Sequence, residues 1–458
     1  MRDIFFVLFL AGFLGLGLKR PFLLVLAYCY VDIVAPQKLS YYLVNAVPVS
    51  LVTFVFAVLG WLIADNKRDV RVSGRQVILV LLLIYCGLTT LQADFPAEAL
   101  VKWDWVWKAL LWAIFLPLTL RTRLRIESLA LVMVLSVASI AISGGIKTLV
   151  SGGGYGSLQL LLNENYGLYE GSIMSTVGIA VIPLIVWLAR FGTVFPKSKY
   201  VTLFAAGLVF ACLLLPIGTQ ARTGLVCAAV LGILMLRTVR YRLLYLGGAA
   251  LLALVATPFP PASYTQRMGT IQNYEADRSA STRIAVWQWT WEYAKDHPFG
   301  GGFDAYRGNR LSYETEATTS VGGQTTVASD RVVDQARAYH SSYFEMLGEQ
   351  GYPGLALWLL LHLTGIWQME RLRARYRKTT DPDKLWVAPL ATALENAQIV
   401  YMVGSLFVGI AFQSFIYMML ALQIGLATYI KRREKEAEWR PLLGKAKVPK
   451  PTEPVASA

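Results

Sequence analysis

The residues best equipped for chemistry lie in the stretch 331–355. His340 stands there among Asp334, Arg337 and Glu345, a dense set of ionisable neighbours. An imidazole titrates near neutral pH, so His340 suits acid–base work or hydrogen bonding to a phosphate. A structural histidine fits the same spacing equally well. No second histidine or cysteine is spaced to complete a metal site. The four cysteines, Cys29, Cys86, Cys212 and Cys227, all fall in apolar runs without a CxxC, which argues against disulfide and zinc-thiolate chemistry. His297 precedes a proline and reads as a turn residue. His362, in Leu-Leu-Leu-His-Leu-Thr, reads as a helix–helix hydrogen bonder.

Arginine is the second chemical signal. Residues 259–350 hold seven arginines and one lysine against eleven acidic residues. The stretch is therefore not a general polyanion binder, but guanidinium is suited to planar, two-pronged recognition of phosphate or carboxylate. Structural pairing with the local carboxylates is the competing reading for each arginine. Arg283 lies in Ser279–Lys295, which reads as a helix with a Ser/Thr cap. There Arg283, Trp287 and Trp291 recur every four residues and share a face, as in a helix lying along a membrane interface. Arg222, in Gly-Thr-Gln-Ala-Arg-Thr-Gly, opens an apolar run, a costly place for a cation unless it snorkels or faces a polar cavity or ligand. Thr223 and Gly224 behind it allow close approach of a helix or a phosphate.

The elements that must carry these residues are membrane spans. The chain has 458 residues, 55% of them hydrophobic and 16% charged, and a mean hydropathy of +0.49. Apolar runs of about 15–23 residues recur between short basic clusters. The expectation is an all-α polytopic membrane protein with about 12–13 transmembrane helices and one large, mainly helical periplasmic loop. It divides into N-terminal spans (1–258), the loop (259–350), C-terminal spans (351–431) and a basic cytoplasmic tail (432–458). Clusters at 67–75, 121–125, 190–199, 237–242 and 371–378 alternate with connectors poor in lysine and arginine. Placing the rich set in the cytoplasm sends 259–350 to the other side of the membrane. The net charge of +14 is thus a topology signal and not a nucleic-acid footprint. The first two runs, broken by Lys19-Arg20-Pro21, form either two spans with Met1 outside or one interrupted element with Met1 inside.

Two shorter outward pieces accompany the loop. In 94–108, Lys102, Asp104 and Lys108 surround three tryptophans, which reads first as an aromatic belt with snorkelling lysines. Residues 148–171 carry Ser-Gly-Gly-Gly-Tyr-Gly without the strand–loop–helix setting of a nucleotide site, and read as a flexible outer loop.

Three motifs in this order resemble the bacterial O-antigen ligase and polymerase superfamily. They are Gln-Ala-Arg222-Thr-Gly at a span end; Ser-Thr-Arg283-x-x-x-Trp287 followed by His-Pro-Phe-Gly-Gly-Gly-Phe; and His340-Ser-Ser-Tyr-Phe-x-x-x-Gly-Glu-Gln-Gly-x-x-Gly-Leu. The resemblance spans roughly 20–430, with motif detail between about 218 and 356. It implies an inner-membrane enzyme of Gram-negative type that transfers a glycan from an undecaprenyl diphosphate carrier to an acceptor hydroxyl without metal or cofactor. The acceptor is then a lipid A-core sugar, or protein Ser/Thr if the chain is similar to the subgroup of O-glycosylation ligases that accompany exosortases. By the resemblance His340 matches the general base, and Arg222 and Arg283 match arginines that hold the diphosphate. Ser341 departs from the family, which often has asparagine there. Arg337, Arg267, Lys102 and Tyr339 form a second rank of site candidates. The bilayer and the lipid-linked donor are the expected partners; nucleic acid is not. A polymerase of the same superfamily would share every motif. A transporter or flippase would show inverted repeats, and no clear internal repeat is present.

Overall fold

The computed structural model describes residues 2–67, 70–156, 158, 167–237, 278–321 and 324–438. The expected span at 243–258, Arg267 and the tail beyond 438 lie outside these residues, as does part of the 148–171 loop.

The protein is an all-α polytopic membrane protein. Helices run in the order α1 (Arg2–Lys19), α2 (Phe22–Val34), α3 (Pro36–Leu39), α4 (Val49–Ala64), α5 (Gly74–Leu91), α6 (Pro96–Thr119), α7 (Arg123–Ser151), α8 (Gly171–Phe191), α9 (Lys199–Gly218) and α10 (Arg222–Leu236). After the undescribed stretch come α11 (Arg278–Asp296), strands β1 (Arg310–Val321) and β2 (Gln324–Gln335), then α12 (Ser342–Tyr376), α13 (Val387–Gly404) and α14 (Ser414–Glu438). Among the described residues, five helices (α5, α7, α8, α9 and α14) are long and apolar enough to cross a membrane, and α2, α4 and α10 are shorter apolar helices. Helices suit this role because each backbone group is satisfied within its own segment. Phe56, Leu59 and Ile63 of α4 and Leu203, Phe204 and Phe210 of α9 face outward, as lipid-facing side chains do. α8 and α14 are the most buried of the five spans.

The basic connectors gather at one end of the bundle. There Arg125 pairs with Asp65 at 2.6 Å, Arg123 with Glu127 at 2.7 Å, and Arg237 with Glu395 at 3.3 Å. Arg75, expected as a connector charge, is instead buried. It donates to Gln423 (3.0 Å) and Gln368 (3.2 Å) inside the bundle. Gln423 continues to Gln398, which meets His362 Nδ1 at 3.0 Å, so His362 does bridge helices.

The opposite end is where the chemistry-bearing residues lie. Asp3 accepts hydrogen bonds from the backbone N–H groups of Tyr41, Tyr42 and Leu43. α1 and α2 are therefore two separate antiparallel helices, with the N-terminus beside the connector that follows α2. The glycines at 153–156 do not swing free of the bundle: Gly154 N–H donates to Gly218 O at 2.8 Å, tying that stretch to the end of α9.

The loop contributes helix and one element the sequence reading did not foresee. β1 and β2 pair antiparallel from Arg310↔Gln335 to Val321↔Gln324. Alternating β-branched residues around Gly322-Gly323 are an ordinary hairpin signal.

Candidate active site at the His340 end

His340 sits one residue before the cap of α12 and is held from three sides. Asn309, fully buried, donates from Nδ2 to Arg337 O (2.7 Å) and accepts Arg337 N–H at Oδ1 (2.9 Å). Trp287 of α11 donates its indole N–H to Tyr339 O at 2.9 Å. Ser342 N–H donates to Ser405 O at 2.8 Å, just beyond α13. Between these clamps His340 adopts φ +49°, a left-handed conformation costly for a non-glycine residue. Its side chain remains open to solvent. A strained backbone fixed by neighbours on both sides, carrying an accessible imidazole, is an arrangement that packing alone does not require.

α11 delivers Arg283 to this point. Trp287 stacks on Phe344 of α12, with ring centroids 5.0 Å apart and planes 7° apart, so the helix is docked one turn after Arg283. Arg283 and Arg337 lie close enough to act on His340 electrostatically. Partial desolvation first, then the positive charges of Arg283 and Arg337, lower its pKa below the usual 6.5. The neutral imidazole, the form that can take a proton, therefore persists to lower pH than in a free histidine. Arg337 also pairs with Asp334 at 2.8 Å on the surface.

Arg222 opens α10 and is half-buried. α10 reaches the same region through α13: Cys227 lies 3.6 Å from Val400 O, and a Cβ on Gly404 would meet Thr176 and Cys227. The end of α13 that carries Ser405 thus joins α10 to the start of α12. The geometry brings Arg283 and Arg337 into electrostatic range of His340, and sets α10, which Arg222 opens, against α13.

Tyr339 is not an open site residue. Its ring is buried against Val286 and Leu311, and its hydroxyl has no hydrogen-bond partner among the described residues. It anchors the chain behind His340. Ser341, the departure from the family pattern, is buried at the N-cap of α12 without making a side-chain cap.

Two glycine-rich motifs turn out to be halves of one latch. Gly301 N–H donates to Gly348 O (3.1 Å) and Gly302 N–H to Glu349 O (2.9 Å), while Tyr352 N–H donates to Pro298 O (3.0 Å). The backbones approach so closely that a Cβ on Gly300 would lie 2.4 Å from Glu349 O. Gly300 and Gly302 also have φ of +88° and +78°, values glycine adopts readily. The helical segment that begins at Ser342 stops at Gly351 (φ 62°, ψ −167°), and a second segment of α12 runs on from that kink to Tyr376. His297 closes α11, with its ring stacked on Tyr293.

Beneath the latch lies the feature that sequence spacing concealed. Lys102 of α6 does not snorkel. It donates to Glu345 at 2.6 Å and to both oxygens of Glu349 at 2.8 and 2.9 Å, with side-chain exposures of 13%, 9% and 0%. Asp304 N–H adds 3.0 Å to Glu349, and Ala411 N–H 3.2 Å to Glu345. Glu345 is one turn into α12, its N–H bonded to Ser341 O at 2.8 Å. Lys108 and Asp104, by contrast, form an ordinary exposed i,i+4 pair.

Residues 207–359 match the family model described as O-antigen ligase. This domain supports a place for the chain in the O-antigen ligase superfamily. Residues 1–193 match a family of unknown function, DUF5935. No curated protein matches the chain. The O-antigen ligase domain contains Arg222, Arg283, His340, both halves of the latch, and Glu345 with Glu349; Lys102 comes from the other match. The match supports a glycosyltransferase-type enzyme of the ligase or polymerase kind.

Proposed function

We propose that the protein transfers a glycan from an undecaprenyl diphosphate carrier to an acceptor hydroxyl at the periplasmic face of a Gram-negative inner membrane. The observation that carries this reading is the solvent-open His340, clamped in a left-handed conformation beside Arg283 and Arg337 within an O-antigen ligase domain.

The chemistry follows from those groups. Neutral His340 accepts the proton of the acceptor O–H as that oxygen bonds to the anomeric carbon. The bond from that carbon to the diphosphate oxygen breaks, and the electron pair leaves with the undecaprenyl diphosphate. Arg283 and Arg222 stabilise the charge that grows there, with Arg337 as a further cation near the base. Attack opposite the leaving group inverts the anomeric centre. The same cations disfavour a protonated imidazole, so the neutral base persists to lower pH than in a free histidine.

A lipid A-core sugar is the acceptor in this reading; protein Ser/Thr and a second lipid-linked glycan are the alternatives within the same superfamily. Purified protein in liposomes, given a lipid-linked oligosaccharide and each of the three acceptors in turn, identifies which is used. Joined lipid A-core product with inverted linkage supports the ligase. Transfer to a second lipid-linked glycan alone would make it a polymerase. Movement of intact lipid-linked glycan across the bilayer, with no new linkage, would make it a transporter.

A further inference from the structure

We infer that a cavity of about 340 Å³ beside the Lys102 cluster is a subsite for sugar hydroxyls. It is bounded by the end of α2, the first turns of α6, the 167–173 stretch and the 409–414 segment, with Asp32, Lys102, Trp105, Glu345, Gln413 and Ser414 supplying its polar and aromatic character. Its volume sits at the small end of the range for small-molecule sites, roughly 300–1,000 Å³.

The chemistry selects the ligand. One Asp32 oxygen, Oδ2, is buried without a hydrogen-bond partner among the described residues. A buried acceptor left in this state is unfavourable, and a carboxylate can only accept, so the complementary ligand must bring donors. Lys102 is already matched by two carboxylates, so with Asp32 the surroundings carry an excess of negative charge. That disfavours a diphosphate, whose natural place is at the arginines. Neutral hydroxyls meet both demands: they donate to Asp32, and they exchange hydrogen bonds with Gln413. Trp105, partly exposed, offers the aromatic face on which the apolar side of a sugar ring rests. Glu345, on the cavity wall, is one turn from Ser341 and so from His340. The subsite thus lies within reach of a glycan whose reacting carbon is at the histidine. This inference rests on the glycan-transfer reading and names where the sugar is held.

The sugar could belong to donor or acceptor, and binding measurements separate the two. Native mass spectrometry of the full chain in nanodiscs compares undecaprenyl diphosphate with the same carrier bearing one N-acetylhexosamine. Saturation-transfer NMR with methyl hexosides probes the acceptor source. Asp32→Asn is expected to weaken binding of the sugar-bearing carrier by about tenfold or more, the effect of losing one hydrogen bond to a charged group, and Trp105→Leu to weaken it, and to reduce methyl hexoside contact, by removing the ring face. Binding of the bare carrier should be unchanged in both variants, and that unchanged binding also reports an intact fold. Equal weakening of bare and sugar-bearing carrier would overturn the subsite, as would no effect of either variant on any sugar probe. Because these are binding readouts, absence of glycan transfer by the wild-type protein would count against the proposed reaction alone.

Discussion

Replacing Lys102 with methionine leaves Glu345 and Glu349 facing one another without their shared cation. Both carboxylates are nearly or fully buried, and breaking a buried ion pair by removing one partner costs about 3–5 kcal/mol. Each carboxylate keeps one backbone donor, Ala411 N–H at 3.2 Å for Glu345 and Asp304 N–H at 3.0 Å for Glu349. These retained bonds argue for the lower part of that range, about 3 kcal/mol. The assay is equilibrium unfolding of the purified protein by SDS in mixed micelles, with wild type and Lys102→Met compared at several pH values. Unpaired buried carboxylates titrate above their ordinary range, so the folded variant takes up protons before the unfolded chain does. Its deficit is therefore largest near pH 8 and narrows as pH falls toward 5. Adding Glu345→Gln and Glu349→Gln to Lys102→Met should recover much of the loss, since neutral amides need no counter-charge. A loss under about 1 kcal/mol at pH 8, or a deficit that widens on acidification, would refute the buried cluster as the joint between α6 and α12.

Three further outcomes follow from the site. The acid limb of kcat/KM should fall below pH 6.5, because desolvation and Arg283 and Arg337 depress His340, and Arg337→Gln should move that limb upward; a limb that stays fixed in a pH–rate series would remove Arg337 from the site. Asn309→Ala strands two backbone groups of Arg337, so a stability loss of about 1–3 kcal/mol is expected in the same SDS assay. Gly300→Ala sets a Cβ against Glu349 O. It should lower the thermal midpoint in detergent and slow transfer, whereas an unchanged midpoint would mean the latch is not tight.

Local sequence carried much of this protein. That the chain is built of apolar, membrane-crossing helices was legible because bilayer thickness acts on composition within single segments. Arg283 and Trp287 were placed on one helix face by their four-residue spacing, and α11 presents them that way. His362 was readable as a helix bridge because a mid-span imidazole needs a partner. Lys102 was not, since its partners are 243 and 247 residues distant and nothing in Lys-Trp-Asp-Trp distinguishes a caged lysine from a snorkelling one. The latch was half-legible: both glycine motifs were conspicuous, but their pairing is a tertiary fact. The β1–β2 ribbon was present as alternating β-branched residues around a Gly-Gly pair, and the weight given to helix in the loop obscured it. The left-handed His340 has no sequence signal, because the contacts that hold it come from Asn309, Trp287 and Ser405, far away in the chain.

The most direct test of the central claim is the single-turnover rate of glycan transfer in liposomes by wild type and His340→Ala, with binding of the lipid-linked donor measured on the same preparations. A general base contributes roughly 10²–10⁴-fold. His340→Ala should therefore lose transfer by that factor while donor binding stays within about twofold. Transfer at the wild-type rate by a variant that still binds donor would contradict the assignment of His340 as the base.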